Sequence, residues 1–105
     1  MPRTQPIVSY LRIREYAERF EWFDPKRNRR EKGFNPPSHA TDVQRVPFNV
    51  RFLTKKGKLI EGEVICIKVD TRLMRRNLMF TASQECVWAY DMFILEIDGV
   101  RFQTH

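Results

Sequence analysis

The chain has 105 residues, 42% of them hydrophobic and 30% charged, and its 19 Lys and Arg against 13 Asp and Glu leave a formal charge of +6 at pH 7. That length holds one small domain, and the eight Phe, two Trp and three Tyr suffice to fill its core without disulfides or a metal, which excludes a chain disordered by composition. The longest aliphatic stretch, Val64-Ile65-Cys66-Ile67, falls far short of the roughly 20 apolar residues a membrane span needs, and charges interrupt the first residues where a signal peptide would be apolar, so the expectation is a cytoplasmic protein with no membrane contact.

From Pro6 to Phe23, Tyr10, Ile13, Ala17 and Phe20 recur at spacings of three and four, with Tyr16 and Phe23 beside them. This periodicity predicts an amphipathic helix over residues 1–24, ended by Asp24-Pro25 because proline cannot donate to the preceding turn. Its stripe either caps the rest of the fold or docks a partner. Between Pro25 and Val46 the periodicity is lost: Lys26, Arg27, Arg29, Arg30 and Lys32 crowd together with Glu31 as their only acid, followed by Gly33-Phe34-Asn35-Pro36-Pro37. Residues 25–46 read as a basic, proline-containing linker or long surface loop.

Beyond Pro47 the period becomes two. Phe48, Val50 and Phe52 alternate with polar residues up to the turn Thr54-Lys55-Lys56-Gly57-Lys58, and Leu59 to Val69 continues as a long strand. A basic connection from Asp70 to Arg76 follows, then strands around Leu78 to Ala82, Cys86 to Tyr90 and Phe93 to Ile97. Asp98-Gly99 predicts a two-residue hairpin returning through Val100, Phe102 and Thr104. Five or six short antiparallel strands in residues 47–105 predict a mainly β fold, α+β with the helix, in which the strands curl into a small barrel. The loop spacing of that segment resembles an SH3-like barrel, with an OB-like barrel as the neighbouring possibility.

No residue cluster spells a reaction. His39 lies in the proline-rich stretch and His105 at the end, neither with a partner at a meaningful spacing, so no catalytic residue is assigned and the chain reads as a non-enzyme. Cys66 and Cys86 sit in apolar strand-like runs as reduced, buried thiols. With His39 and His105 they offer no ligand pair at zinc spacing, the glycines form no phosphate-cradling loop, and so no metal or cofactor is expected. Glu61, Glu63 and Asp70 are the one carboxylate group to consider for a divalent ion, against a plain solvated strand face.

Three basic clusters carry the chemical direction: Lys26, Arg27, Arg29, Arg30 and Lys32; Lys55, Lys56 and Lys58 on a hairpin tip; and Arg72, Arg75 and Arg76 between strands. Cations on loops reach phosphate oxygens, and aromatic rings beside them stack unpaired bases, with Trp88 the ring candidate. The expected function is a basic β module binding nucleic acid through these residues. Its alternative is a protein-interaction or assembly module, a homodimer included, that uses the N-terminal helix or a barrel edge.

Overall fold

The computed structural model of the protein describes residues 7–103. Pro6 at the start of the predicted helix, Thr104 of the last strand and His105 lie outside them. Ten strands form two sheets: β1 (Val8–Ser9), β2 (Phe20–Asp24), β3 (Arg29–Gly33), β4 (Thr41–Arg45), β5 (Phe48–Leu53), β6 (Leu59–Asp70), β7 (Arg75–Phe80), β8 (Cys86–Tyr90), β9 (Ile94–Ile97) and β10 (Val100–Gln103). The only α-helix among the described residues, α1, is one turn long (Arg14–Ala17) and follows a 3-10 turn at Tyr10–Arg12.

The period-two half of the chain folds as its pattern predicts, into six strands. β5 to β8 form an antiparallel meander, and β9 returns antiparallel to β5. Asp98 and Gly99 both take positive φ, 47° and 83°, as a two-residue hairpin between right-twisted strands requires. Phe48, Val50 and Phe52 of β5 are buried while Asn49 and Arg51 between them are exposed. Their inward side chains join Val64, Cys66, Leu78, Ala89, Ile94, Ile97 and Phe102 in one core.

The predicted barrel is not closed. The larger sheet runs β1-β10-β9-β5-β6-β7-β8, so β1 and β8 are two free ends and the ladder does not return on itself. The chain leaves β8 through a 3-10 turn, Asp91–Phe93, that carries it to the far side of β5 without pairing β8 to β9.

The helix expectation is corrected in length. Ile13 and Ala17 are buried in the core, and Tyr16 meets Phe102 edge to face at 5.2 Å, so the stripe caps the larger sheet. The helix stops at Glu18, however, and Phe20–Asp24 is a strand. Within it Trp22 and Asp24 are buried at every second residue, a period hidden in the sequence because Phe20 and Phe23 also fit helical spacing.

The expected linker at 25–46 is likewise structured: β2 lies between β3 and β4 in a three-stranded antiparallel sheet. β3 reads Arg-Arg-Glu-Lys-Gly and carries no apolar side chain, so no alternation betrays it. Polar bonds shape its hairpin instead. Asp24 Oδ1 accepts from the backbone N–H of Lys26 at 2.9 Å and of Arg27 at 3.3 Å, and His39 Nε2 lies 3.0 Å from the same oxygen. Burial alone would disfavour the charged Asp24, but these donors outweigh it and hold its carboxyl below the ordinary 3.8. Arg45 ties the small sheet to the body, donating to the Glu18 carbonyl at 3.1 Å with its guanidinium 4.0 Å from the Phe20 ring centre.

Candidate functional site

Strand register decides which cations face solvent. In β8, Trp88 lies opposite Asn77 and Tyr90 opposite Arg75; in β6, Lys68 lies opposite Asn77 and Asp70 opposite Arg75. These residues therefore share one face of β6-β7-β8, while Arg76, Leu78 and Ala89 point to the other, buried one. The Arg75 guanidinium lies 4.2 Å from the Trp88 ring centre, and Lys55, from the β5–β6 hairpin, places its Nζ 4.7 Å from the Tyr90 ring centre. Lys55 first and Arg75 second pull the Tyr90 phenol pKa below 10.0, because both favour the phenolate. Asp70 is the acid on this face; it accepts from Arg75 at 3.1 Å and from the Leu73 N–H at 3.2 Å, which stabilise its carboxylate form.

Two members of this face, Lys68 and Tyr90, are absent from the residues that sequence reading assigns to the site. Simple alternation from the buried Val64 and Cys66 would send Lys68 inward. A register shift between Cys66 and Lys68 adds a residue, and both Ile67 and Lys68 are exposed. Tyr90 is legible as a neighbour of Trp88 two positions away on one strand face, but its cation comes from a hairpin 35 positions earlier in the chain.

Arg76 is removed from the candidate surface. It is 5% exposed and sits between two acids, donating through Nε to Asp91 Oδ1 at 3.0 Å and through Nη1 to Glu18 Oε2. Burial works against its charge, and Glu18 and Asp91 more than compensate. Burial also pushes the Asp91 carboxyl above 3.8 despite Arg76. The cluster joins α1's end, β7 and the turn after β8, which is a structural role.

The first basic cluster belongs to the small sheet, and much of its charge is matched there. Arg30 bonds Glu21 at 2.7 Å and Asp42 at 2.9 Å, while Arg27 and Arg29 reach Glu31 at 3.1 and 3.0 Å. Lys26 is exposed on the hairpin. Lys32 lines a groove of about 440 Å³ with Arg12, Glu15, Tyr16, Arg19 and Phe34. In the second and third clusters Lys56, Lys58 and Arg72 are exposed and, among the described residues, join no ion pair. Lys55 and Arg75 are thus the members brought together across the chain.

The carboxylate group does not assemble. Glu61 is paired with Arg51 at 3.1 Å, Glu63 accepts from the Thr81 hydroxyl at 2.7 Å, and Asp70 is held by Arg75. Among the described residues no three His, Cys, Asp or Glu side chains are grouped for a metal ion, and no helix is long and apolar enough to cross a membrane. Cys66 is buried, which pushes its thiol pKa up, whereas Cys86 is exposed, contrary to its apolar surroundings in sequence. Cys66 pairs with Leu78 and Cys86 with Met79, on opposite faces of the sheet, so its geometry forbids a bridge between them. Compared with known proteins, the chain matches no family model, no curated protein and no solved structure.

Proposed function

We propose that this protein is a non-enzymatic nucleic-acid-binding module whose contact surface is the outer face of β6-β7-β8 with the β5–β6 hairpin. The observation that carries this reading is the pair of cation–ring contacts, Lys55 on Tyr90 and Arg75 on Trp88, drawn from separate loops and strands to one half-buried outer face of the sheet. Cations supply sequence-independent attraction to phosphates, and rings beside them supply a surface for bases. Arg72, Lys56 and Lys68 extend the positive surface around them. The meander β5 to β8, a 3-10 turn and a strand returning to β5 favour an SH3-like over an OB-like arrangement for the larger sheet.

The test is binding of fluorescent oligonucleotides as a function of salt. Affinity should fall steadily as salt rises, and Lys56→Gln and Arg72→Gln should each lower the salt slope by about 1. Arg27→Gln and Arg29→Gln, whose charges Asp24 and Glu31 already partner, should change it far less. Undetectable binding at low salt refutes the proposal.

A second reading, protein docking, has its own support. Leu11, Leu73, Met74 and Met92 are between 43% and 68% exposed. Asp91 N–H donates to the Met74 carbonyl at 2.9 Å, and the 3-10 turns at Tyr10–Arg12 and Asp91–Phe93 touch, so these side chains surround one end of the larger sheet. Light scattering of wild type against Met92→Lys tests it: concentration-dependent association abolished by the lysine favours docking. Ile13→Glu would not test it, because Ile13 is core.

A further inference from the structure

Trp88 and Tyr90 stand two residues apart on one face of an edge strand, with no strand paired to the far side of β8 among the described residues. At the strand rise their side chains are about 6.6 Å apart. Stacked bases in a duplex are about 3.4 Å apart, half that spacing, and hide their faces from a protein except at an end. Neighbouring bases can each occupy one ring only if the strand has been unstacked.

The rings are held ready for such bases. Neither is stacked face to face on another ring among the described residues: Tyr90 meets Phe93 at 6.2 Å with a 68° interplanar angle, which leaves its face to Lys55, and Trp88 has its face under Arg75. A cation–ring contact still reached by solvent, as that of Lys55 on Tyr90 is, is weaker than a base–ring stack. Lys55, which joins no ion pair among the described residues, gains a phosphate when displaced, and Arg75 exchanges Asp70 as well as the ring for one.

We propose that β8 binds single-stranded nucleic acid in preference to duplex, Trp88 and Tyr90 stacking two successive unstacked bases while Arg75 and Lys55 leave the ring faces for the flanking phosphates. The inference rests on the nucleic-acid reading above and adds to it the strand state and the register. Lys68, opposite Asn77 on the same face, continues the cationic track across the sheet. A duplex meets only the cations, so it receives the salt-sensitive part of the affinity and none of the stacking.

The experiment titrates the full chain with a short oligouridine and with a duplex of equal length, reading anisotropy and tryptophan emission together. Trp22 is 5% exposed, so quenching reports Trp88. The single strand should bind on the order of tenfold more tightly than the duplex and quench the emission. Trp88→Leu and Tyr90→Leu should each cost the single strand on the order of tenfold and the duplex far less, whereas Trp88→Phe should retain most of the preference. Circular dichroism of each variant confirms that the fold is kept. Equal losses for both strands, or no loss in a folded Trp88→Leu, overturn the stacking inference while the nucleic-acid reading survives. Absence of binding by either strand at low salt overturns both.

Discussion

Replacing Arg76 by Met removes the one cation from a buried cluster that also holds Asp91 and Glu18. Methionine nearly fills the space, so the loss comes from Asp91 left without its counter-charge and Glu18 left with only the exposed Arg14 at 3.9 Å. Stripping one partner from a buried ion pair costs about 3 to 5 kcal/mol, and the lower end applies here because the Glu18 side chain keeps 18% exposure and can rehydrate. For a domain of this size that is a large part of a total stability of about 5 to 15 kcal/mol, and a fall in Tm of at least roughly 12 °C. The pH dependence follows from Asp91. Burial already raises its carboxyl above 3.8 in the folded protein, and losing Arg76 raises it further. A raised carboxyl pKa means that the folded state binds a proton which the unfolded chain has released, so acidification through that range favours the folded variant. The deficit should therefore be largest near neutral pH and shrink as pH falls through the raised pKa of Asp91. Urea unfolding of wild type and Arg76→Met at about pH 7 and about pH 5 measures both quantities. A loss below about 1 kcal/mol, or one independent of pH, refutes the assignment of this cluster as a charge-dependent joint. Adding Asp91→Asn to Arg76→Met should recover about 1 kcal/mol or more, because it deletes the orphaned charge.

The small sheet offers a complementary test at Asp24, whose folded pKa is lowered. Its contribution is complete above the ordinary 3.8 and is lost as pH falls through the folded value. Asp24→Ala should lower the urea midpoint near neutral pH, with the gap to wild type closing in strong acid. Thiol reactivity should split cleanly: a thiol reagent should modify Cys86 in the native protein and reach Cys66 only in denaturant, because Cys66 is buried and its thiol pKa raised. Gly33→Ala should place a methyl 3.0 Å from Trp22 Cη2, lowering stability by about 1 kcal/mol and shifting the emission of that buried indole.

The half of the chain beyond Pro47 was readable because β5 has one wet and one dry face and turn residues separate the strands after it. Phe48, Val50 and Phe52 announce β5, and Asp98-Gly99 specifies the hairpin between β9 and β10, since both features are local. The same logic fails for residues 20–45. β3 and β4 expose most of their side chains, and their cross-strand stabilisation comes from ion pairs such as Arg30 with Glu21 and Asp42. Nothing in the composition of Lys26 to Lys32 shows that acids from two other strands meet it.

The candidate site divides in the same way. Arg72, Lys55 and Lys56 are turn residues, and turns lie on the surface, so their exposure followed from sequence. Arg75 and Arg76 are neighbours of identical chemistry, yet one covers Trp88 and the other is buried between Glu18 and Asp91. They differ because β7 begins at Arg75 rather than after Arg76, and a strand sends successive side chains to opposite faces.

The excess of six positive charges was a property of the whole chain, and sequence by itself located its densest part between Lys26 and Lys32. By itself it also determined the mainly β class, the hairpins and most of the core, because alternation and turn residues act within a few positions. Only the tertiary structure decided that the sheet stays open, that α1 ends after one turn, and that the arginines of the dense cluster are matched by acids of their own sheet. It alone brought Lys55 to Tyr90 and turned Lys68 outward at a bulge. Those outcomes depend on which strands pair and in what register, a choice made by contacts far apart in the chain and invisible in any short window of it.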